Sequence, residues 1–120
     1  MSNFHRFESA EENSFVPGVV DIQPTELWDK KHGVRLIDVR QPEEYVGELG
    51  HIPGSELMAL ASVPDVLSTI PKDDVIVFIC RSGGRSAQAS AFARSQGYEH
   101  VFNMKGGMLL WNDLKLPTEP

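Results

Sequence analysis

Apolar residues along this chain fall into short dense blocks separated by turn residues, and the blocks alternate between two periods. Val19-Val20-Asp21-Ile22, Val34-Arg35-Leu36-Ile37-Asp38-Val39, Val75-Ile76-Val77-Phe78-Ile79 and Val101-Phe102-Asn103-Met104 are runs of strand length, rich in β-branched and aromatic side chains. The 75–79 run is apolar at every position, as expected of a strand buried on both faces. A further short strand is expected within 55–60. Between these blocks the spacing is helical. Pro24 and Pro42 each suit a first helical position, with glutamates close behind to favour the helix dipole. The first of these helices carries Leu27 and Trp28 and ends near Gly33. Val63, Val66, Leu67 and Ile70 predict a small amphipathic helix over 64–70. An Ala/Ser-rich stretch predicts a helix over 85–96 that packs through Ala87, Ala91 and Phe92 and stops at Gly97. Met108 to Leu114 predicts a closing helix anchored by Trp111. Strands alternating with helices indicate an α/β fold, a parallel sheet with helices on both faces.

With 120 residues, 41% hydrophobic and 23% charged, the chain fits one soluble domain with one core. The first fifteen residues are polar, with three glutamates and isolated phenylalanines. They read as a flexible N-terminal arm over 1–15, ahead of a domain over 16–120, with Phe4, Phe7 and Phe15 placed to pin it to the body or to another copy. A net charge of −6 argues against nucleic acid or an anionic membrane as partner. Its distribution changes the picture. Residues 1–60 hold eleven acidic and five basic side chains, whereas 75–106 hold four basic (Arg81, Arg85, Arg94, Lys105) against Glu99 alone. A locally basic site in an acidic protein suits a small anionic substrate. No apolar run has the length of a signal peptide or a membrane span. One cysteine makes no internal disulfide, and His5, His32, His51 and His100 show no ligand spacing, so neither metal nor cofactor is expected. A reducing, cytoplasmic setting is the default.

The candidate chemistry sits where the 75–79 strand ends. Cys80-Arg81-Ser82-Gly83-Gly84-Arg85-Ser86 places the only thiol on a tight loop between a strand's C-terminal end and a helix's N-terminal end. Unpaired amides at a helix start carry partial positive charge. Gly83 and Gly84 allow positive φ, which turns successive N–H groups inward into an anion-binding nest. With Arg81 and Arg85 alongside, the setting favours thiolate over thiol. The bland alternative is a small buried hydrophobe at a strand end, but a glycine pair bracketed by arginines is hard to explain that way. Asp38 and Arg40 reach the same sheet edge, where open α/β sheets place their sites. Asp38 is expected to accept loop N–H bonds rather than to act as a base. Arg40 is expected to pair with Glu44, and His51 to be a hydrogen-bonding turn residue rather than a catalytic one. Gly106-Gly107 is expected to form a tight turn that walls the pocket.

Taken in order, Leu36-Ile37-Asp38-Val39-Arg40, Glu43-Glu44-Tyr45, Gly50-His51-Ile52-Pro53-Gly54, the Cys80–Arg85 loop, Gly106-Gly107, Trp111 and Pro117 resemble the single-domain rhodaneses, sulfurtransferases that use thiosulfate and persulfides. The likeness spans about residues 18–117. It implies a rhodanese-like domain over 16–120, with a parallel five-stranded sheet, and a Cys80 that accepts a sulfane sulfur and passes it on. The implied donor is thiosulfate, a small anion, or a protein persulfide, and the implied acceptor is cyanide or a thiol. Arg81, Ser82, Gly83, Gly84, Arg85 and Ser86 would bind the substrate, with Asp38, Arg40, Glu44 and His51 as structural support. Arg85 has two readings, donor contact or loop shape. Val46-Gly47-Glu48-Leu49 lengthens one connection relative to the shortest family form. The rivals are a cysteine phosphatase or arsenate reductase-like enzyme, a non-catalytic docking module, and a relay between proteins. The first places five residues between cysteine and arginine where this chain has four, and the second would lack the cysteine.

Overall fold

The computed structural model describes residues 6–120. Eleven elements follow in order: β1 (Glu11–Glu12), β2 (Val20–Ile22), α1 (Pro24–Asp29), β3 (Val34–Asp38), α2 (Pro42–Tyr45), β4 (Glu56–Leu57), α3 (Val63–Val66), β5 (Val75–Ile79), α4 (Gly84–Ser95), β6 (Val101–Met104) and α5 (Gly107–Asp113). They build one sheet of order β1-β2-β6-β5-β3-β4. All pairs are parallel except β1 on β2. Four of the five parallel strands are those the apolar blocks predict, β4 is the short strand expected within 55–60, and β1 is an addition. It lies within the stretch read as an arm, where Glu11 faces Asp21 and Glu12 faces Val20. Two exposed glutamates have no apolar period to read. Their pairing covers a β2 edge that would otherwise leave backbone groups open. Phe7 is buried against Phe102, edge to face with centroids 5.0 Å apart, whereas Phe15 is 92% exposed. Phe4 lies outside the described residues.

Side chains on β5 alternate between two cores. Ile76, Phe78 and Cys80 pack with Val63, Leu67, Ala89 and Ala93, on the face that α3 and α4 cover. Val77 and Ile79 pack with Leu27, Met108 and Trp111, on the face of α1 and α5. This is why every residue of 75–79 is apolar: with period two, helices on both faces leave no position for a polar side chain. The buried stripe of α4 is Ser86, Ala87, Ala89, Ser90 and Ala93, with Phe92 partly buried against the same core; of the predicted Ala87, Ala91 and Phe92, only Ala91 falls outside it. Small side chains let the helix sit close to the sheet, and Ser90 satisfies its hydroxyl on the Ser86 carbonyl at 2.8 Å. The predicted 64–70 helix is α3 followed by a 3-10 turn over Leu67–Thr69. The Tyr98 hydroxyl meets the Leu67 and Ile70 carbonyls there, at 2.7 and 2.6 Å. Among the described residues no helix is long and apolar enough to cross a membrane.

Candidate active site

Cys80 stands one residue beyond β5, and α4 begins four residues later. Two devices shape the connection. Gly83 adopts φ 105°, a left-handed conformation that disfavours a side chain, and its N–H reaches the Cys80 Sγ at 3.0 Å. From the other side, the start of α5 grips the loop's base: the Met108 N–H donates to the Cys80 carbonyl at 2.8 Å and the Leu109 N–H to the Arg81 carbonyl at 3.0 Å. This close approach requires glycine at 107, because a Cβ there would fall 2.5 Å from the Cys80 carbonyl oxygen. Gly107 therefore lets α5 hold the loop from behind, while Gly106 lines the hollow beside Ser82 and Gly83.

Cys80 is 1% exposed. Its sulfur is not sealed among apolar groups alone, because the Ser86 hydroxyl lies 3.2 Å from it, beside the Gly83 amide. The nest of amides expected around the sulfur is thus represented in this state by one backbone donor. Ala87 is the first residue of α4 to bond back into the helix, to the Gly83 carbonyl, so the amides of Gly84, Arg85 and Ser86 have no intrahelical acceptor. Gly84 is helical, so of the two loop glycines only Gly83 uses positive φ. Arg81 and Ser82 are exposed.

One flank of the loop is charged. Asp38, fully buried, receives the Arg40 backbone N–H at 3.1 Å and the Arg40 guanidinium at 2.8–3.1 Å. Arg40, 1% exposed, also donates to the Gly50 carbonyl at 2.7 Å and the Glu44 carbonyl at 3.2 Å. The expected side-chain pair between Arg40 and Glu44 does not form. Asp38 sits two residues away on the same strand end and takes the Arg40 fork, while the Glu44 carboxylate turns to Arg85. That contact is bidentate, Nη1 to Oε1 at 2.7 Å and Nη2 to Oε2 at 2.8 Å. The Arg85 bond, aided by the Gln41 amide and opposed by partial burial, holds the Glu44 carboxyl at about 2. Likewise Glu44 pushes the Arg85 guanidinium further up. Among the described residues Arg81 has no ion-pair partner. It lines a hollow of about 180 Å³ with Arg40, Glu43, Glu44, Gly47, Glu48 and Leu49. The lengthened 46–49 connection is tied down by Asn112, which donates to the Leu49 carbonyl at 3.1 Å.

The other flank is neutral next to the sulfur. Ser86 Oγ, fully buried, lies 2.5 Å from Asn103 Oδ1, and Asn103 Nδ2 donates to Asp21 Oδ1 at 2.9 Å. Asn13 Nδ2 reaches both Asp21 oxygens at 3.0 and 3.2 Å. The register explains the alignment: Asn103 pairs with Asp21 on β2 and with Phe78 on β5, so it shares the face of Phe78 and Cys80. Asn103 and Asp21 were not singled out from the sequence. The signal was there: each is the one polar residue in an otherwise apolar strand run.

His51 keeps to the turn. Its Nδ1 meets the Tyr45 carbonyl at 2.9 Å, its ring stacks on Tyr45 at 3.8 Å, and its backbone pairs with Glu119. Trp111 is fully buried, donates to the Pro117 carbonyl at 2.9 Å and meets Trp28 edge-on.

Comparison with known proteins matches residues 14–114 to the rhodanese-like domain. A protein named sulfurtransferase from Allochromatium vinosum is 42% identical over 84 residues, covering 70% of this chain and 77% of the relative. The thiosulfate sulfurtransferase GlpE of Pseudoalteromonas translucida is 36% identical, covering 74% and 82%. Among solved structures, the human single-domain sulfurtransferase TSTD1 superposes with a TM-score of 0.67 at 28% identity, over 78% of this chain and 95% of that one.

Proposed function

This chain belongs to the rhodanese-like family, and from that premise we propose that it moves a sulfane sulfur from thiosulfate or a persulfide to a thiophilic acceptor through a Cys80 persulfide. The observation that carries the reading is the convergence of the Gly83 N–H and the Ser86 hydroxyl on one buried thiol, ahead of a helix start whose first amides have no intrahelical acceptor. In the first step the Cys80 thiolate attacks the outer sulfur of thiosulfate. An Sγ–S bond forms, the donor's S–S bond breaks, and its electron pair leaves with sulfite. The new terminal sulfur lies about 2 Å beyond Sγ and gathers the loop amides around its charge. In the second step cyanide or a thiolate attacks that terminal sulfur and expels the Cys80 thiolate, so no net redox change falls on the enzyme. The single thiol needs a reducing compartment, which favours the cytoplasm.

For the donor, Arg81 and the loop amides are the contacts still open, and Ser82 lies beside them. The Arg85 fork is already filled by Glu44, which supports its loop-shaping role. The same fact disfavours phosphatase chemistry, where an arginine must reach the phosphoryl oxygens. Glu43, Glu44 and Glu48 around Arg81 also support a second reading, in which the donor is another protein's persulfide rather than a free dianion. Intact-mass measurement after thiosulfate, then after cyanide, tests the proposal: a gain of one sulfur on Cys80, lost to cyanide, is expected. A gain only from a protein persulfide would favour the relay. Aryl phosphate hydrolysis that vanishes in Cys80→Ser would replace the assignment.

A further inference from the structure

Ser86 carries one hydroxyl proton but lies within bonding distance of two acceptors, Cys80 Sγ at 3.2 Å and Asn103 Oδ1 at 2.5 Å. A hydroxyl donates once and accepts through its lone pairs. Which way it points therefore decides whether Ser86 gives a hydrogen bond to the sulfur or takes one from the thiol. Asn103 is not free to adapt. A carboxylate only accepts, so the Asp21 oxygen 2.9 Å away holds the amide NH2 toward itself and leaves the carbonyl oxygen facing Ser86. Asn103 is 2% exposed, and its strand neighbours fix its backbone, so the amide has no room to turn over.

We propose that Asn103 is a positioning residue that sets the Ser86 hydroxyl as a two-position rotor. In the resting thiol the hydroxyl points at Asn103 and its lone pair takes the Cys80 S–H. When the sulfur becomes anionic, as thiolate or persulfide, the hydroxyl swings to donate to it and gives up the Asn103 bond. Asn103 thus opposes ionisation of Cys80 and keeps the resting sulfur docked, whereas Ser86 supports the anion. The inference rests on Cys80 being the reactive group of the proposed function, but it concerns the thiol's own reactivity and not the transfer of sulfur.

The charged groups around the site stay in place in the variants that test this: Arg85 on α4 with its Glu44, the Asp38–Arg40 pair at the end of β3, and Asp21 on β2, which keeps Asn13. The test is the pH profile of Cys80 alkylation by iodoacetamide, read by mass on the only thiol in the chain. Asn103→Leu is expected to move the profile to lower pH, by about half to one unit. Ser86→Ala is expected to move it to higher pH, and the double variant to follow Ser86→Ala, because Asn103 acts only through Ser86. Asn103→Ala repeats the test with a smaller side chain if leucine does not fold. Folded Asn103 variants with an unmoved profile, a shift in the same direction as Ser86→Ala, or a double variant with its own further shift would overturn the rotor. Sulfur uptake from thiosulfate, measured separately, reports on the proposed function and is independent of the direction of these shifts.

Discussion

The two flanks of the Cys80 loop are both polar and both close to the sheet's C-terminal edge, yet they are built for different tasks. On the β3 side, four charged groups form two arginine–carboxylate pairs, Arg40 with Asp38 and Arg85 with Glu44. Their partners are other charges and backbone amides and carbonyls, and none of their hydrogen bonds reaches the sulfur. On the β6 side, neutral Ser86 meets the sulfur directly, and Asn103 stands behind Ser86, anchored in turn by Asp21. The contrast is one of range. Paired charges bring distant segments together and fix backbone, but an unpaired charge next to the sulfur would bias it in one state permanently. A neutral hydroxyl in a dry site can turn with the sulfur's charge, so it suits a group whose charge changes during the reaction.

The division breaks most clearly if the sulfur itself is removed. Cys80→Ser is expected to lower sulfur transfer by about a thousandfold or more, with the fold intact by circular dichroism; retained uptake by intact mass would mean the sulfur lies elsewhere. Next in size is Arg40→Ala, which leaves Asp38 buried without its cation. Urea unfolding should report a loss of about 3–5 kcal/mol, and a neutral result would mean this flank does not hold the structure.

A smaller change sharpens the comparison at Glu44. Glu44→Gln frees the Arg85 fork for an anionic donor, so the KM for thiosulfate should fall by about threefold to tenfold. An unchanged KM would leave Arg85 outside donor binding altogether. The mildest effect is in pH. Because Glu44 is held at about 2, below its ordinary 4.5, its pair stabilises the fold above that ordinary value and loses this contribution as pH falls toward about 2. The difference in urea midpoint between wild type and Glu44→Gln should be level near neutrality and close on the acid side. A gap that stays open at the acid end would show that the pair is not its source.

Legibility differs between the flanks as much as chemistry does. Asp38, Arg40 and Glu44 were visible as charges near a strand end and a helix start, but their pairing was not. Arg40 had two carboxylates in reach along the chain, and Glu44 had an arginine 41 positions away that spacing could not reveal. Asn103 and Asp21 are 82 positions apart and gave only the weak signal of a polar residue inside an apolar strand. β1, two exposed glutamates long, gave none. The 75–79 block was readable because burial on both faces leaves a continuous apolar run, and 34–38 and 101–104 because apolar residues, β-branched and aromatic ones among them, make up most of each.

By itself the amino-acid order determined the strands and helices of the parallel sheet, β1 apart, and that one thiol sits between a strand end and a helix start among glycines and arginines. These are local matters, set by periodicity, turn residues and backbone freedom over a few positions. Only the tertiary structure decided which carboxylate each arginine holds, that α5 grips the loop from behind, and that Ser86 stands between sulfur and Asn103. Those contacts depend on strand order and register, and residues far apart in the chain become partners only once the sheet has placed them side by side.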